Sequence, residues 1–248
     1  MRKFGLIGYP LGHSFSAKYF KEKFQRESIS GCSYSNFEIP ALSGLPAILK
    51  DPELKGLNVT IPYKESVIPF LHKRDAVVEE THACNCIRIE QGILSGFNTD
   101  VKGFEESMAE KLTAMDQRSL ILGTGGSSKA VAWVLKKKGI KFLFVSRRKS
   151  GAANQISYEY LNREIMDMHT LIVNTTPLGM EPDINDCPPV PYEWIGPRHY
   201  LFDLIYNPVK TLFLRKGEAA GARIKNGADM LAIQAEASWA IWNAGSGG

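Results

Sequence analysis

Short apolar runs alternate along the chain with longer stretches whose apolar residues recur every three or four positions, the signature of strands alternating with helices. Phe4–Ile7 reads as a strand and Ala17–Arg26 as the helix behind it. Tyr34–Ile39 reads as a strand, and Leu42–Lys50 as a helix closed by Asp51-Pro52. Gly56–Thr60 gives another strand, followed after Pro62 by a short helix over Lys64–Leu71. Cys86–Glu90 and Ile93–Gly96 flank Gln91-Gly92 as the arms of a hairpin. Val101–Leu112 reads as a connecting helix, with later strands at Ser119–Leu122, Lys141–Val145, Thr170–Val173 and His199–Leu204. Ser150–Met168 is poorly periodic, which predicts a short or missing helix, whereas Gly227–Asn243 is strongly helical and long enough to return across a cleft between two halves. This order predicts an α/β fold with mostly parallel sheets and one antiparallel edge.

GTGGSSKA, residues 123–130, lies between the strand at Ser119–Leu122 and a helix that ends in Lys136-Lys137-Lys138-Gly139. Free backbone N–H groups and the helix dipole converge at such a turn and make an anion site. Gly123 permits the turn and Gly125 lets a pyrophosphate approach the backbone, with Thr124, Gly126 and Ser127 completing the loop. The third glycine of G-x-G-x-x-G is replaced by Ser128; Gly126 is expected to widen the loop, and Ala130 is small enough for close helix packing. An NAD site places an acid about 20 residues beyond the first glycine. Here Ser146-Arg147-Arg148-Lys149 stands there, and no acid follows before Glu159. Guanidinium forks match phosphate oxygens, so this cluster points to the 2′-phosphate of NADP.

Composition narrows the partners. A chain of 248 residues is long enough for one large or two medium domains. A formal charge of +4, with cations in short local groups, fits small anionic ligands better than a nucleic-acid stripe. No run approaches membrane-spanning length, and Phe4–Ile7 is too short for the core of a signal peptide, so a cytoplasmic location is expected. Cys32, Cys84, Cys86 and Cys187 form no CxxC. His82, Cys84 and Cys86 alternate and would share one face of a strand, but zinc normally takes four ligands in spaced pairs, so no metal is expected.

Ligands of open α/β sheets bind beyond the carboxyl ends of the strands. The polar residues at those ends are Ser14 and Ser16, then Asn58, Thr60 and Lys64, then Asn85, Asn98, Thr99 and Asp100 around the hairpin. Together they suit a small molecule with several hydroxyls and a carboxylate. Each also has a plainer role; Ser14 or Ser16, for example, could cap the helix near Ala17. The blocks GYPLGHSFS, GLNVTIPYK, ACNCI, GFNTD, GTGGSSKA, NTTPLGM, DLIYNP and NGADMLAIQA occur in an order and spacing that resemble the shikimate dehydrogenase family over essentially the whole chain.

That resemblance implies a two-domain NADP enzyme reversibly reducing 3-dehydroshikimate to shikimate. Residues 1–101 would form the substrate domain, completed by a helix over 227–243, and 102–226 a Rossmann-type doubly wound domain. By position, Ser14 and Ser16 would bind the carboxylate with Tyr206, and Thr60, Lys64, Asn85, Asp100 and Gln234 the ring hydroxyls, supported by Asn58. Gly123–Ser127 would hold the pyrophosphate and Ser146–Lys149 the 2′-phosphate, while Thr175, Leu204 and Gly227 line the cofactor cleft. Lys64 would carry the proton and Asp100 orient it, because alcohol oxidation needs one positioned acid–base group beside the hydride acceptor. The chain departs from the family pattern at Ala17 and Tyr19-Phe20 after the serines, at Ser146-Arg147-Arg148 in the clamp, and at Asp229 in NGADM. A quinate/shikimate dehydrogenase and an NADP sensor without chemistry are the alternatives; monomer and homodimer both remain open.

Overall fold

The computed structural model describes residues 1–12, 14–147 and 153–244. The chain forms two compact units: Met1–Thr99 together with the stretch from Gln234 onward, and Asp100–Ile233.

The first unit opens with β1 (Arg2–Gly8), α1 (Ser16–Arg26) and β2 (Cys32–Glu38), then α2 (Leu45–Ile48) and β3 (Leu54–Val59). β4 (Lys73–Arg74), α3 (Ala76–Thr81), β5 (Cys86–Glu90) and β6 (Ile93–Phe97) follow. The sheet order is β2-β1-β3-β5-β6-β4. β1 runs parallel to β2 and β3, and the β5–β6 hairpin introduces the antiparallel pairings anticipated from Gln91-Gly92. Alternation along β1 sends Phe4 to one face and Ile7 to the other. Phe4 stacks on Trp242 at 4.8 Å, and Phe20 and Phe24 of α1 pack in the same cluster.

Prolines shorten two of the expected helices. Leu42–Lys50 contains only a 3₁₀ turn at Leu42–Gly44 and the four-residue α2, which has Pro46 in its first turn. Lys64–Leu71 is a set of turns ending in a 3₁₀ turn at Ile68–Phe70, because Pro69 lacks an N–H and disfavours α geometry at the residue before it. The proposed sharing of one strand face by His82, Cys84 and Cys86 is also corrected. His82 closes α3 in the left-handed region, and only Cys86 lies in a strand.

The second unit contains α4 (Asp100–Ala109), β7 (Arg118–Leu122), α5 (Gly126–Lys137), β8 (Lys141–Ser146) and β9 (Gln155–Ser157). It continues with α6 (Arg163–Met168), β10 (Leu171–Asn174), β11 (Tyr200–Asp203), α7 (Leu212–Ala219) and β12 (Arg223–Lys225). α8 (Ala228–Asn243) begins here, and its residues from Gln234 count with the first unit. The order β12-β11-β10-β7-β8-β9 is parallel throughout. The chain turns from β7 to β8 on one side and later to β10 on the other. This is the strand reversal at which doubly wound sheets bind ligands. The weakly periodic stretch before Leu171 supplies only β9, a 3₁₀ turn and the six-residue α6. No helix among the described residues is long and apolar enough to cross a membrane.

Candidate active site

In the first unit Asn58, Asn85, Thr99 and Gln234, all named from sequence, share one hydrogen-bonded cluster with Ser238. The sheet brings Asn58, at the end of β3, next to Asn85, which precedes β5: Asn58 Nδ2 donates to the Asn85 carbonyl at 3.3 Å. The same amide nitrogen donates to Ser238 Oγ of α8 at 2.9 Å. Asn85 Oδ1 accepts from the Thr99 backbone N–H at 2.7 Å, and its amide nitrogen reaches Thr99 Oγ1 at 3.0 Å and Gln234 Oε1 at 3.5 Å. Thr99 and Ser238 exchange a further contact at 3.2 Å. Asn58, Asn85, Thr99, Gln234 and Ser238 are all buried. Burial of this many amides and hydroxyls is tolerable because each finds a partner.

Ser14 and Ser16 flank Phe15, which occupies the N-cap position of α1 without any side-chain cap. The capping role open to either serine is therefore not used. Ser14 Oγ is shielded from solvent and has no hydrogen-bond partner, a cost a protein normally avoids unless something else supplies the bond. Thr60 and Lys64 are half-buried on the turn after β3. The Tyr63 and Lys64 carbonyls anchor that turn, accepting from Val67 N–H and Cys84 N–H at 2.9 and 2.8 Å. At the Tyr19-Phe20 departure, Tyr19 donates to Glu236 at 2.5 Å and Phe20 stacks on Tyr34 at 4.4 Å. The nearly buried Lys23 also binds Glu236, at 2.7 Å, which ties α1 to α8.

Asp100, Tyr206 and the residues expected to hold the cofactor belong to the second unit. Asp100 is the buried first residue of α4, and Tyr206 is half-buried after β11. Gly123 has φ +107°, and a Cβ there would stand 2.8 Å from Thr175 Oγ1. Thr175 Oγ1 in turn donates to the Leu122 carbonyl at 2.6 Å, joining the ends of β7 and β10. Gly125 is the N-cap of α5, and a Cβ on it would meet nothing within 4 Å. Open space over a helix N-terminus at the strand reversal fits a pyrophosphate. Gly126, expected to widen the loop, is instead the first residue of α5, so the loop proper is Gly123-Thr124-Gly125 and Ser127 is already helical. Ser128 replaces the third glycine at no polar cost: it is fully buried, and its hydroxyl returns to the Gly125 carbonyl at 2.6 Å.

Ser146 ends β8 and accepts from Gln155 Nε2 at 2.7 Å, and Arg147 beside it is exposed. Arg148 and Lys149 lie outside the described residues. Gly227 is imposed by close approach, since a Cβ would fall 2.1 Å from the Leu204 carbonyl oxygen. Asp203, not named from sequence, organises this region from the end of β11. Its Oδ1 accepts from Asn174 Nδ2 and Ile205 N–H, both at 3.0 Å, and its Oδ2 accepts from Thr211 Oγ1 at 2.6 Å. Complete burial pushes its carboxyl up to about 7 against the opposing effect of these hydrogen bonds. Among the described residues no group of three or more His, Cys, Asp and Glu could hold a metal.

A doubly wound dinucleotide unit joined to a separate α/β unit with a buried polar cluster defines the class: a nicotinamide-dependent dehydrogenase. The pattern of the shikimate dehydrogenase substrate-binding domain matches residues 6–87. Shikimate dehydrogenase (NADP(+)) of Caldanaerobacter subterraneus subsp. tengcongensis is 33% identical over 260 residues, covering 96% of this chain and 90% of that protein. Among solved structures, shikimate dehydrogenase 1 from Peptoclostridium difficile superposes with a TM-score of 0.86 at 36% identity, over 98% of this chain and 92% of its own. The Thermus thermophilus shikimate 5-dehydrogenase, solved with NADP(H) and shikimate, gives 0.87 at 29% identity, over 98% and 94%. The chain belongs to the shikimate dehydrogenase family.

Proposed function

We propose that this protein catalyses the reversible, NADP-dependent reduction of 3-dehydroshikimate to shikimate. Family membership along nearly the whole chain supports the reaction. Within the site, the observation that carries the reading is Ser14 Oγ, a buried hydroxyl without a partner, on the same unit as a buried amide–hydroxyl cluster. An unsatisfied donor suits a carboxylate, and a set of fixed amides and hydroxyls suits the hydroxyls of a ring. In this reading Ser14 and Ser16 hold the carboxylate with Tyr206, while Thr60, Asn85 and Gln234 read the ring hydroxyls and Asn58 supports them.

NADP exchanges a hydride with the substrate carbon when bound. The chain's own residues must then manage the proton on the substrate oxygen. Lys64 Nζ carries it, since an amine both accepts and donates, and Asp100 orients the amine and binds a ring hydroxyl. Gly123-Thr124-Gly125, with the first turn of α5 at Gly126 and Ser127, cradles the pyrophosphate. Thr175, Leu204 and Gly227 line the cleft for the rest of the cofactor. Ser146 and Arg147, with Arg148 and Lys149, meet the 2′-phosphate. The test is steady-state kinetics with shikimate and quinate, each with NADP and NAD. The reading expects shikimate with NADP to give the highest kcat/KM, and a preference for quinate with NAD would overturn it.

A further inference from the structure

Gln234, Ser238 and Trp242 stand four residues apart on α8, so their side chains share one face of the helix. Each meets the first unit's sheet through a hydrogen bond. Gln234 Oε1 accepts from Asn85 Nδ2 at 3.5 Å, Ser238 Oγ accepts from Asn58 Nδ2 at 2.9 Å, and Trp242 Nε1 donates to the Ile87 carbonyl at 3.0 Å. The contacts advance along β5, since Asn58 pairs with Cys86, between Asn85 and Ile87. Gly56 leaves the room that the indole fills, because a Cβ there would fall on Trp242 Nε1.

Ser238 is the middle of this face and is fully buried. Its partners fix the direction of its two shortest bonds. The Gln234 carbonyl, 2.9 Å away, can only accept, so it takes the serine proton. The Asn58 amide nitrogen can only donate, so the serine oxygen receives it. Asn58 is held on its other side as well: its Oδ1 accepts from the Tyr34 hydroxyl at 2.9 Å, and its Nδ2 also donates to the Asn85 carbonyl at 3.3 Å. A continuous chain of bonds thus runs from Tyr34 through Asn58 and Ser238 to the backbone of Gln234.

We infer that Ser238 is a positioning residue for substrate binding, seating the turn of α8 that carries Gln234 against the strand end that carries Asn58. This rests on the proposed function, in which Gln234 reads a ring hydroxyl. The Gln234 amide oxygen meets Asn85 at 3.5 Å, a long contact, whereas Ser238 ties the Gln234 carbonyl to Asn58 through two bonds of 2.9 Å. The shorter pair sets where the Gln234 backbone stands, and the reach of its side chain follows. Ordering that turn is completed during folding rather than at binding. Trp242 keeps the helix on the sheet when Ser238 is changed, so loss of the hydroxyl loosens the turn nearer Gln234.

The test is Ser238→Ala, which removes one oxygen and leaves a good helix former in its place. We expect KM for shikimate to rise roughly three- to tenfold, as for loss of one buried hydrogen bond. The kcat and KM for NADP should stay within about twofold, since neither depends on this hydroxyl. A purely structural role would instead lower the amount of folded enzyme, and with it apparent kcat, while leaving both KM values alone. In a Gln234→Ala background the Ser238→Ala effect on shikimate KM should shrink to less than about twofold, because Ser238 acts through that residue. An active wild type whose shikimate KM is unmoved by Ser238→Ala, or is moved equally in both backgrounds, overturns the role of Ser238 alone. A wild type inactive on shikimate with NADP overturns the functional reading and this inference together.

Discussion

Asp203→Asn should abolish a pH dependence of stability that the wild type carries. In the folded protein the Asp203 carboxyl is raised from an ordinary 3.8 to about 7, with burial as the main cause. The native state therefore holds a proton that the unfolded chain has released. Stability from this group is fully present below about pH 4, falls as pH rises, and is gone above about pH 7. The rise corresponds to about 4 kcal/mol in all, of which roughly 2 kcal/mol lies between pH 5 and 7. Asparagine fits the same space. Its Oδ1 can keep the bonds from Asn174 and Ile205, and its amide nitrogen can donate to Thr211 Oγ1, which then turns its own proton elsewhere. Urea unfolding followed by tryptophan fluorescence at pH 5, 6, 7 and 8 measures both proteins. Other titrating groups, such as the buried His169 whose pKa burial lowers, are shared and cancel in the difference. The wild type should lose about 2 kcal/mol relative to Asp203→Asn from pH 5 to 7 and nothing further above 8. Parallel curves across that range would mean that the carboxyl does not titrate there, and the reasoning would fail.

Three further outcomes test the assignments. Lys64→Ala should lower kcat by roughly 10²–10⁴-fold with little change in NADP affinity; near-normal kcat at saturating shikimate and NADP would remove the lysine from the mechanism. Arg147→Ala should weaken NADP by about 1.5–3 kcal/mol while NAD changes much less, and an unaltered NADP/NAD preference would show that Arg147 does not meet the 2′-phosphate. Gly227→Ala forces its Cβ onto the Leu204 carbonyl, so the melting temperature should drop by the equivalent of about 1–3 kcal/mol and KM for NADP should rise; a variant with wild-type values in both would contradict the close approach.

Long periodic stretches and paired turn signals made most of the fold readable. The hairpin at Gln91-Gly92, the strand before Gly123 and the helix after it follow from period and glycine position alone. The misreadings come from local chemistry that periodicity hides. Pro46 and Pro69 sit inside apolar patterns that otherwise look helical. α3 and α7 passed unread although both carry a cap signal, Asp75 accepting from Val78 N–H and Thr211 accepting from Leu214 N–H. A cap is informative only when the following run is long enough to register as periodic, and α3 has six residues.

The site residues divide along a similar line. Groups at strand ends can be found from sequence, because strand ends are where α/β sheets present side chains. Groups that hold them in place cannot, since they come from remote elements. Ser238 reaches Asn58 across 180 positions, and Tyr34 reaches it from the middle of β2. Nothing in the local pattern of Tyr34 separates it from an ordinary half-buried aromatic on an edge strand. Its bond to Asn58 becomes legible only once the Asn85 carbonyl fixes the Asn58 amide and leaves the amide oxygen needing a donor. Asp203 is the parallel case in the second unit. Its position in DLIYNP marks it as part of a motif, but its work depends on donors from Asn174 and Thr211, which no spacing rule places beside it. The perturbations that would distinguish this protein's chemistry most sharply therefore lie one contact behind the residues proposed to meet the substrate and the cofactor.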